Sequence, residues 1–171
     1  VAEVAELVHK CFPNPTVLLV EASSSACVSV ALTRKSQAEQ GATVVDSIEA
    51  TGAFDPGRPG YAPFLDALDF AKLPQDDLLA YLQGIAWAVR LSRSITSLGF
   101  YPICADRNRE QLGKLIARSD ALAKEVSGNR QRRRDRGLSL NESAKLRVDA
   151  KRLEAGFDSV MGLIKSICTL G

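Results

Sequence analysis

Arg130, Arg132, Arg133, Arg134 and Arg136 fall within seven residues, with Asp135 as the only acid among them. A guanidinium grips phosphate or carboxylate through two parallel N–H groups, and a protein that neutralises phosphates releases counterions. This run therefore points to a nucleic acid, or to an acidic patch on a protein that handles one. Lys145 and Lys151 can extend the patch along the segment that follows.

Other residues with chemical potential do not assemble a reaction. Glu21, Arg34, Lys35, Asp46 and Glu49 lie on or near strand-like segments, and a sheet bearing acids and a lysine is the ground plan of restriction-type nucleases. That chemistry needs carboxylates holding Mg²⁺ beside a lysine, and no Glu-x-Lys stands in these strands. His9 is the single histidine. It and Cys11 leave a helix on different faces, so core packing or the surface is its expected setting. The glycines of Gly57 and Gly60 sit among prolines, not between a strand and a helix, so no phosphate loop is present. Gly-x-Ser-x-Gly is absent as well. The four cysteines, Cys11, Cys27, Cys104 and Cys168, have no C-x-x-C spacing. Free buried thiols in a reducing cytoplasm are their simplest account. No catalytic residue, cofactor or metal is expected, and the chain is read as a non-enzyme.

The net charge of +2 conceals two halves. Residues 1–99 carry 7 Lys and Arg against 11 Asp and Glu, while residues 100–171 carry 15 against 9. The basic half is the one that should meet an anionic partner. No apolar run reaches the roughly 20 residues that span a bilayer. Glu3 and Glu6 stand inside the apolar start, so no secretory signal is expected in this stretch. The chain has no initiator methionine, and a further N-terminal segment is expected to be missing.

These side chains need a scaffold. Val4, Leu7, Val8 and Cys11 predict one apolar face of a short helix, stopped by Pro13 and Pro15. Residues 16–22 and 26–33 are β-branched runs around Ser23-Ser24-Ser25, a hairpin pattern, and residues 43–50 form a third strand with one wet face. Phe64, Leu65, Leu68 and Phe70 predict a short amphipathic helix. Asp76 and Asp77 open a long apolar helix that Gly99 can end, with Arg90 and Arg93 on its solvent side. Leu112, Leu115, Ser119, Leu122 and Val126 are spaced 3, 4, 3, 4. Leu146, Ala150, Leu153, Phe157, Val160, Ile164 and Ile167 keep the same rhythm. The pattern predicts two antiparallel helices, coiled-coil-like, the first from about Asn108 to about Ser127 and capped by Gly128-Asn129. Ser139 and Glu142 form a capping box at the start of the second. Gly156 inside that helix should weaken it by roughly 1 kcal/mol relative to Ala.

The expected fold is α+β: a small antiparallel sheet packed on a central helix over residues 1–105, then a C-terminal antiparallel helical hairpin with a basic tip over residues 106–171. Hairpin-mediated homo-oligomerisation is a structural alternative to anion binding.

Three stretches carry a resemblance. They are residues 4–20 (helix, proline, apolar strand), residues 28–48 (a strand ending in basic residues, a polar loop, a β-branched strand), and Arg136-Gly137-Leu138-Ser139-Leu140-Asn141 leading into Lys145, Leu146 and Leu153. In this order they resemble a bacterial and archaeal family, domain of unknown function 4391, encoded beside helicases and DNA methyltransferases in phage-defence loci. The chain departs from that pattern where Gln131 and Arg133 stand in place of a Gln preceded by an acid. The resemblance implies an accessory, non-catalytic, cytoplasmic component of a DNA-acting antiviral or restriction-modification-like system. Its hairpin would bind nucleic acid or a partner protein such as the helicase or methyltransferase. An incomplete nuclease is the enzymatic alternative. The family carries no established catalytic residues.

Overall fold

In a computed structural model, described for residues 2–12, 14–134 and 137–168, the chain divides into two compact units, Val1–Tyr101 and Pro102–Gly171. The first is α+β. It begins with α1 (Ala2–Cys11), followed by strands β1 (Thr16–Ala22), β2 (Ser25–Lys35) and β3 (Thr43–Ala50). The strands pair antiparallel in the order β1-β2-β3. Ser23, at φ 55°, makes the β1–β2 turn. A bulge between Leu32 and Thr33 shifts the β2–β3 register, and Asp46 is the residue left over.

Cross-strand register fixes the two faces. Leu18 faces Ser29 and Val20 faces Cys27 on one side, while Val30 faces Glu49 on the other. α1 covers the first side: Ala5 and His9 are buried, and His9 Nε2 meets Ser29 Oγ at 2.8 Å. α3 (Leu78–Ser92) covers the second side with Leu82, Ile85, Ala86 and Val89. Asp77 caps α3 by accepting from the Ala80 N–H at 2.7 Å. The central strand is consequently buried on both faces from Ala26 to Ala31.

Two expectations fail here. The buried stripe of α1 is Ala5 and His9, whereas Val4, Leu7 and Cys11 are exposed. The third strand has no uniformly wet face, because α3 closes over Glu49.

After β3, Phe54 pairs its backbone with Ala26 and stacks on Tyr61 at 4.7 Å. It meets edge-on the fully buried Phe64 of α2 (Ala62–Ala67). α3 does not run unbroken to Gly99. It stops at Ser92, and α4 (Ile95–Leu98) follows and ends on Gly99 at φ 83°, a left-handed value that only glycine adopts without strain.

The second unit is a helical hairpin of α5 (Arg109–Arg132) and α6 (Leu140–Ile167). The capping box is present: the Glu142 N–H donates to Ser139 Oγ, and the Glu142 carboxylate accepts from the Ser139 N–H at 2.9 Å. That reciprocal pair holds the Glu142 carboxyl below its usual range, through the Ser139 hydroxyl first and its backbone second. Leu112, Ile116 and Ser119 of α5 and Ala150, Val160, Met161 and Ile164 of α6 are buried. The residues of the 3-4 spacing are thus buried or half-buried on each helix: Leu112, Ser119, Ala150, Val160 and Ile164 are buried, and Leu115, Leu122, Val126, Leu146, Leu153, Phe157 and Ile167 are half-buried. Among the described residues no helix is long and apolar enough to cross a membrane.

Candidate nucleic-acid interface

The basic end of the hairpin is more helical than its composition suggests. Gly128-Asn129 does not cap α5, which continues through both residues to Arg132. The reason lies in the seam. Asn129 follows Val126 by three residues, continues the 3-4 rhythm and is buried at 8 % exposure. Packing overrides the local stop signal. Arg130 and Arg132 therefore occupy the last helical turn, where basic side chains complement the negative end of the helix dipole. Arg133 and Arg134 follow in turn conformation, their N–H groups bonded to the carbonyls of Asn129 and Gln131. Arg136, with Asp135, lies outside the described residues.

The arginines differ in what surrounds them. Arg130 lies along the hairpin and reaches Glu154 Oε1 at 3.3 Å. Both partners are well exposed, so the pair contributes less than about 1 kcal/mol and its guanidinium can be redirected. Arg132, Arg133 and Arg134 are exposed and have no ion-pair partner among the described residues. Lys145 and Lys151 are exposed on α6. Six residues apart, they leave the helix roughly 120° from each other, so they do not extend one stripe. Arg147 and Arg152 add exposed charge that the run of arginines drew attention away from. Arg152 meets Asp149 at 3.4 Å.

Two acids of the sheet, Asp46 and Glu49, are engaged by arginines. Arg34 Nε donates to Asp46 Oδ1 at 2.9 Å, across the bulge. Glu21 and Lys35 are exposed at strand ends. Glu49 is the strongest electrostatic feature of the first unit. It is 7 % exposed, and its Oε1 accepts from Arg90 Nε at 3.0 Å and from a second Arg90 nitrogen, while Oε2 accepts from Arg93 at 2.6 Å. Arg90 and Arg93 do stand at the solvent boundary, each side chain about one-third exposed, and from there they turn onto Glu49 and clamp β3 to the end of α3. A carboxylate saturated by two guanidinium groups has its lone pairs occupied by donors. Among the described residues no three His, Cys, Asp or Glu side chains converge as a metal-holding group.

Cys104, Cys168 and His9 are shifted by burial. Burial pushes the Cys104 thiol up, with Arg109 opposing, and burial also pushes up Cys168. Thiols raised in this way stay protonated and make poor nucleophiles. Burial lowers the pKa of His9, because it disfavours the charged ring.

No curated protein and no solved structure matches the chain. The family described as Domain of unknown function (DUF4391) matches residues 1–156, a span holding the entire sheet, α3, α5 and the basic end of the hairpin. The three stretches singled out in the sequence all lie inside it, and the chain belongs to this family.

Proposed function

We propose that the protein is an accessory, non-catalytic component of a DNA-acting phage-defence or restriction-modification-like system, and that it contacts nucleic-acid phosphates through the basic end of its helical hairpin. The observation that carries this reading is the exposure of Arg132, Arg133 and Arg134 at a helix end, without an ion-pair partner among the described residues. Three adjacent guanidinium groups repel one another, and among the described residues no acid pairs with them. A polyanion relieves that repulsion. The cellular setting beside helicases and methyltransferases comes from the family resemblance. The engaged state of Asp46 and Glu49 favours binding over hydrolysis.

Phosphate contacts position a protein without reading bases, so binding should be nearly independent of sequence and should fall steeply with salt. The test is a salt titration on unrelated DNA and RNA duplexes and single strands. Changing Arg132, Arg133 and Arg134 together to Ser should weaken binding and reduce the log–log salt slope by up to about 3 on B-form DNA, since each phosphate contact contributes about 0.9. Equal affinities and slopes for wild type and variant would remove this end of the hairpin as a phosphate contact. A wild-type protein with no measurable nucleic-acid affinity would shift the reading to an acidic protein partner.

A further inference from the structure

One groove of the hairpin contains three features that its own fold does not explain. It encloses about 280 Å³ between α5 and α6, with Gly128, Asn129, Leu146 and Leu153 along its floor and Glu125, Arg132, Asp149 and Arg152 on its rim. First, Gly128 lies in the interior of a 24-residue helix, although glycine is among the poorest helix formers. A Cβ built there meets nothing within 4 Å, so no neighbour in the chain demands its small size. Second, Asn129 is more than nine-tenths buried, and its Oδ1 has no hydrogen-bond partner. A buried amide left short of partners is costly, and Asn at a helical seam is a known means of fixing the register and number of associating helices. Third, the rim charges are arranged with internal symmetry. Glu125 and Arg132 have no ion-pair partner among the described residues. They lie on one stripe of α5, and the point midway between them falls between Gly128 and Asn129.

The hairpin register extends that symmetry to α6. A Cβ on Gly156 would lie 3.9 Å from Leu122 Cδ2, which places the two residues side by side. Moving one stripe along each helix from there, Asn129 faces Asp149 and Ala150. The midpoint of Asp149 and Arg152 therefore stands at about the same height as the midpoint of Glu125 and Arg132. A two-fold axis crossing the hairpin at that height serves both helices at once.

From this geometry we infer that the groove is an isologous interface, occupied by the same groove of a second copy of the chain. α5 packs antiparallel on α5 of the partner with Gly128 at the closest approach. Glu125 of each copy faces Arg132 of the other, and the Asp149–Arg152 pair, 3.4 Å apart within each chain, meets its copy head to tail across the axis. Leu146 and Leu153 supply the apolar floor. A C2 interface requires such self-complementarity, and charge complementarity selects this pairing of copies over one with like charges opposed. In the dimer Arg132 is engaged by Glu125 of the partner, and Arg133 and Arg134 are the arginines left for phosphate; the inference is tested without nucleic acid.

The experiment is sedimentation equilibrium of the whole chain from about 1 to about 500 μM, at low and high salt. Wild type should dimerise, more weakly in high salt. Glu125→Arg and Arg132→Glu should each weaken the dimer about tenfold or more, because each change is present twice at the interface. The double change Glu125→Arg with Arg132→Glu restores opposite charges across the axis and should recover the dimer. Gly128→Ala should raise helix stability yet weaken association, an opposition that a purely intramolecular role would not produce. Circular dichroism on each variant confirms that the hairpin is folded. A wild type monomeric throughout overturns the inference. So does a dimer indifferent to either single reversal, which is the behaviour of a dimer that exchanges α6 between copies, and so does failure of the double change to restore association.

Discussion

Arginine is used in opposite ways in the two units. In the first, Arg90 and Arg93 converge on one buried carboxylate, Glu49, and their charge is consumed within the fold. In the second, Arg132, Arg133 and Arg134 stand in solvent with no acid in reach among the described residues. A charge already satisfied internally has little left for a partner, and its loss should appear as lost stability. A charge left unsatisfied should appear as lost binding. The comparison therefore separates structural from functional arginines by what their removal changes.

The largest effect is expected at Glu49. Replacing it by Gln leaves two guanidinium groups, each about one-third exposed, facing each other without their acid. Breaking a buried pair costs several kcal/mol, but solvent around the arginines screens part of this. A loss of about 2 to 3 kcal/mol in urea unfolding is expected. Asp46→Asn, which removes the exposed partner of Arg34 on the same strand, should cost under about 1 kcal/mol. The hairpin triple variant should change stability no more than Asp46→Asn does. Equal costs at Glu49 and Asp46 would erase the distinction on which the comparison rests.

The next effect is a pH dependence confined to the first unit. His9 is the chain's single histidine, sealed from solvent with Nε2 on Ser29 Oγ and Nδ1 unpaired. Burial depresses its pKa in the folded state. The unfolded chain binds a proton near pH 6.5, before the folded chain does. Stability from His9 is therefore complete above about pH 6.5 and is lost as pH falls through the depressed folded value. The loss is at most about 1.4 kcal/mol per pH unit in that window. Urea unfolding of wild type from pH 7 down to about 5 should show this slope, and His9→Gln should flatten it. A slope that survives the substitution would assign it to other groups.

These particular residues also show what the sequence disclosed and what it hid. Strands, the capping box and both hairpin stripes were legible because their signals are local: β-branched runs, a Ser-x-x-Glu spacing, a 3-4 rhythm. The Glu49 clamp was not legible. Its partners lie 41 and 44 residues away, and helical spacing places Arg90 and Arg93 on a common stripe without saying whether water or a carboxylate faces it. α1 misled because its exposed stripe, Val4, Leu7 and Cys11, is more apolar than the buried Ala5 and His9. The end of α5 misled because Gly128-Asn129 reads as a cap, whereas the rhythm continuing from Val126 to Asn129 was the signal that packing obeyed. At the candidate site, the exposed arginines could be named from composition, but their division between helix, turn and ion pair could not.

The smallest expected effect concerns Gly156, the glycine inside α6. The sequence poses a choice between a weak point and a close approach. A Cβ there would meet Leu122 Cδ2 at 3.9 Å, an ordinary van der Waals distance, with nothing nearer. No steric reason for glycine remains, and the helical backbone suits any residue. Gly156→Ala should reduce the freedom of the unfolded chain and add a methyl contact to Leu122, raising stability by about 0.5 to 1 kcal/mol. It should leave phosphate binding unchanged, because the seam and not the basic end receives the methyl group. A fall in the thermal midpoint would mean that the two helices pack more closely at this level than 3.9 Å implies. A rise that came with altered binding would show that seam stability and the presentation of Arg132, Arg133 and Arg134 are coupled along α5.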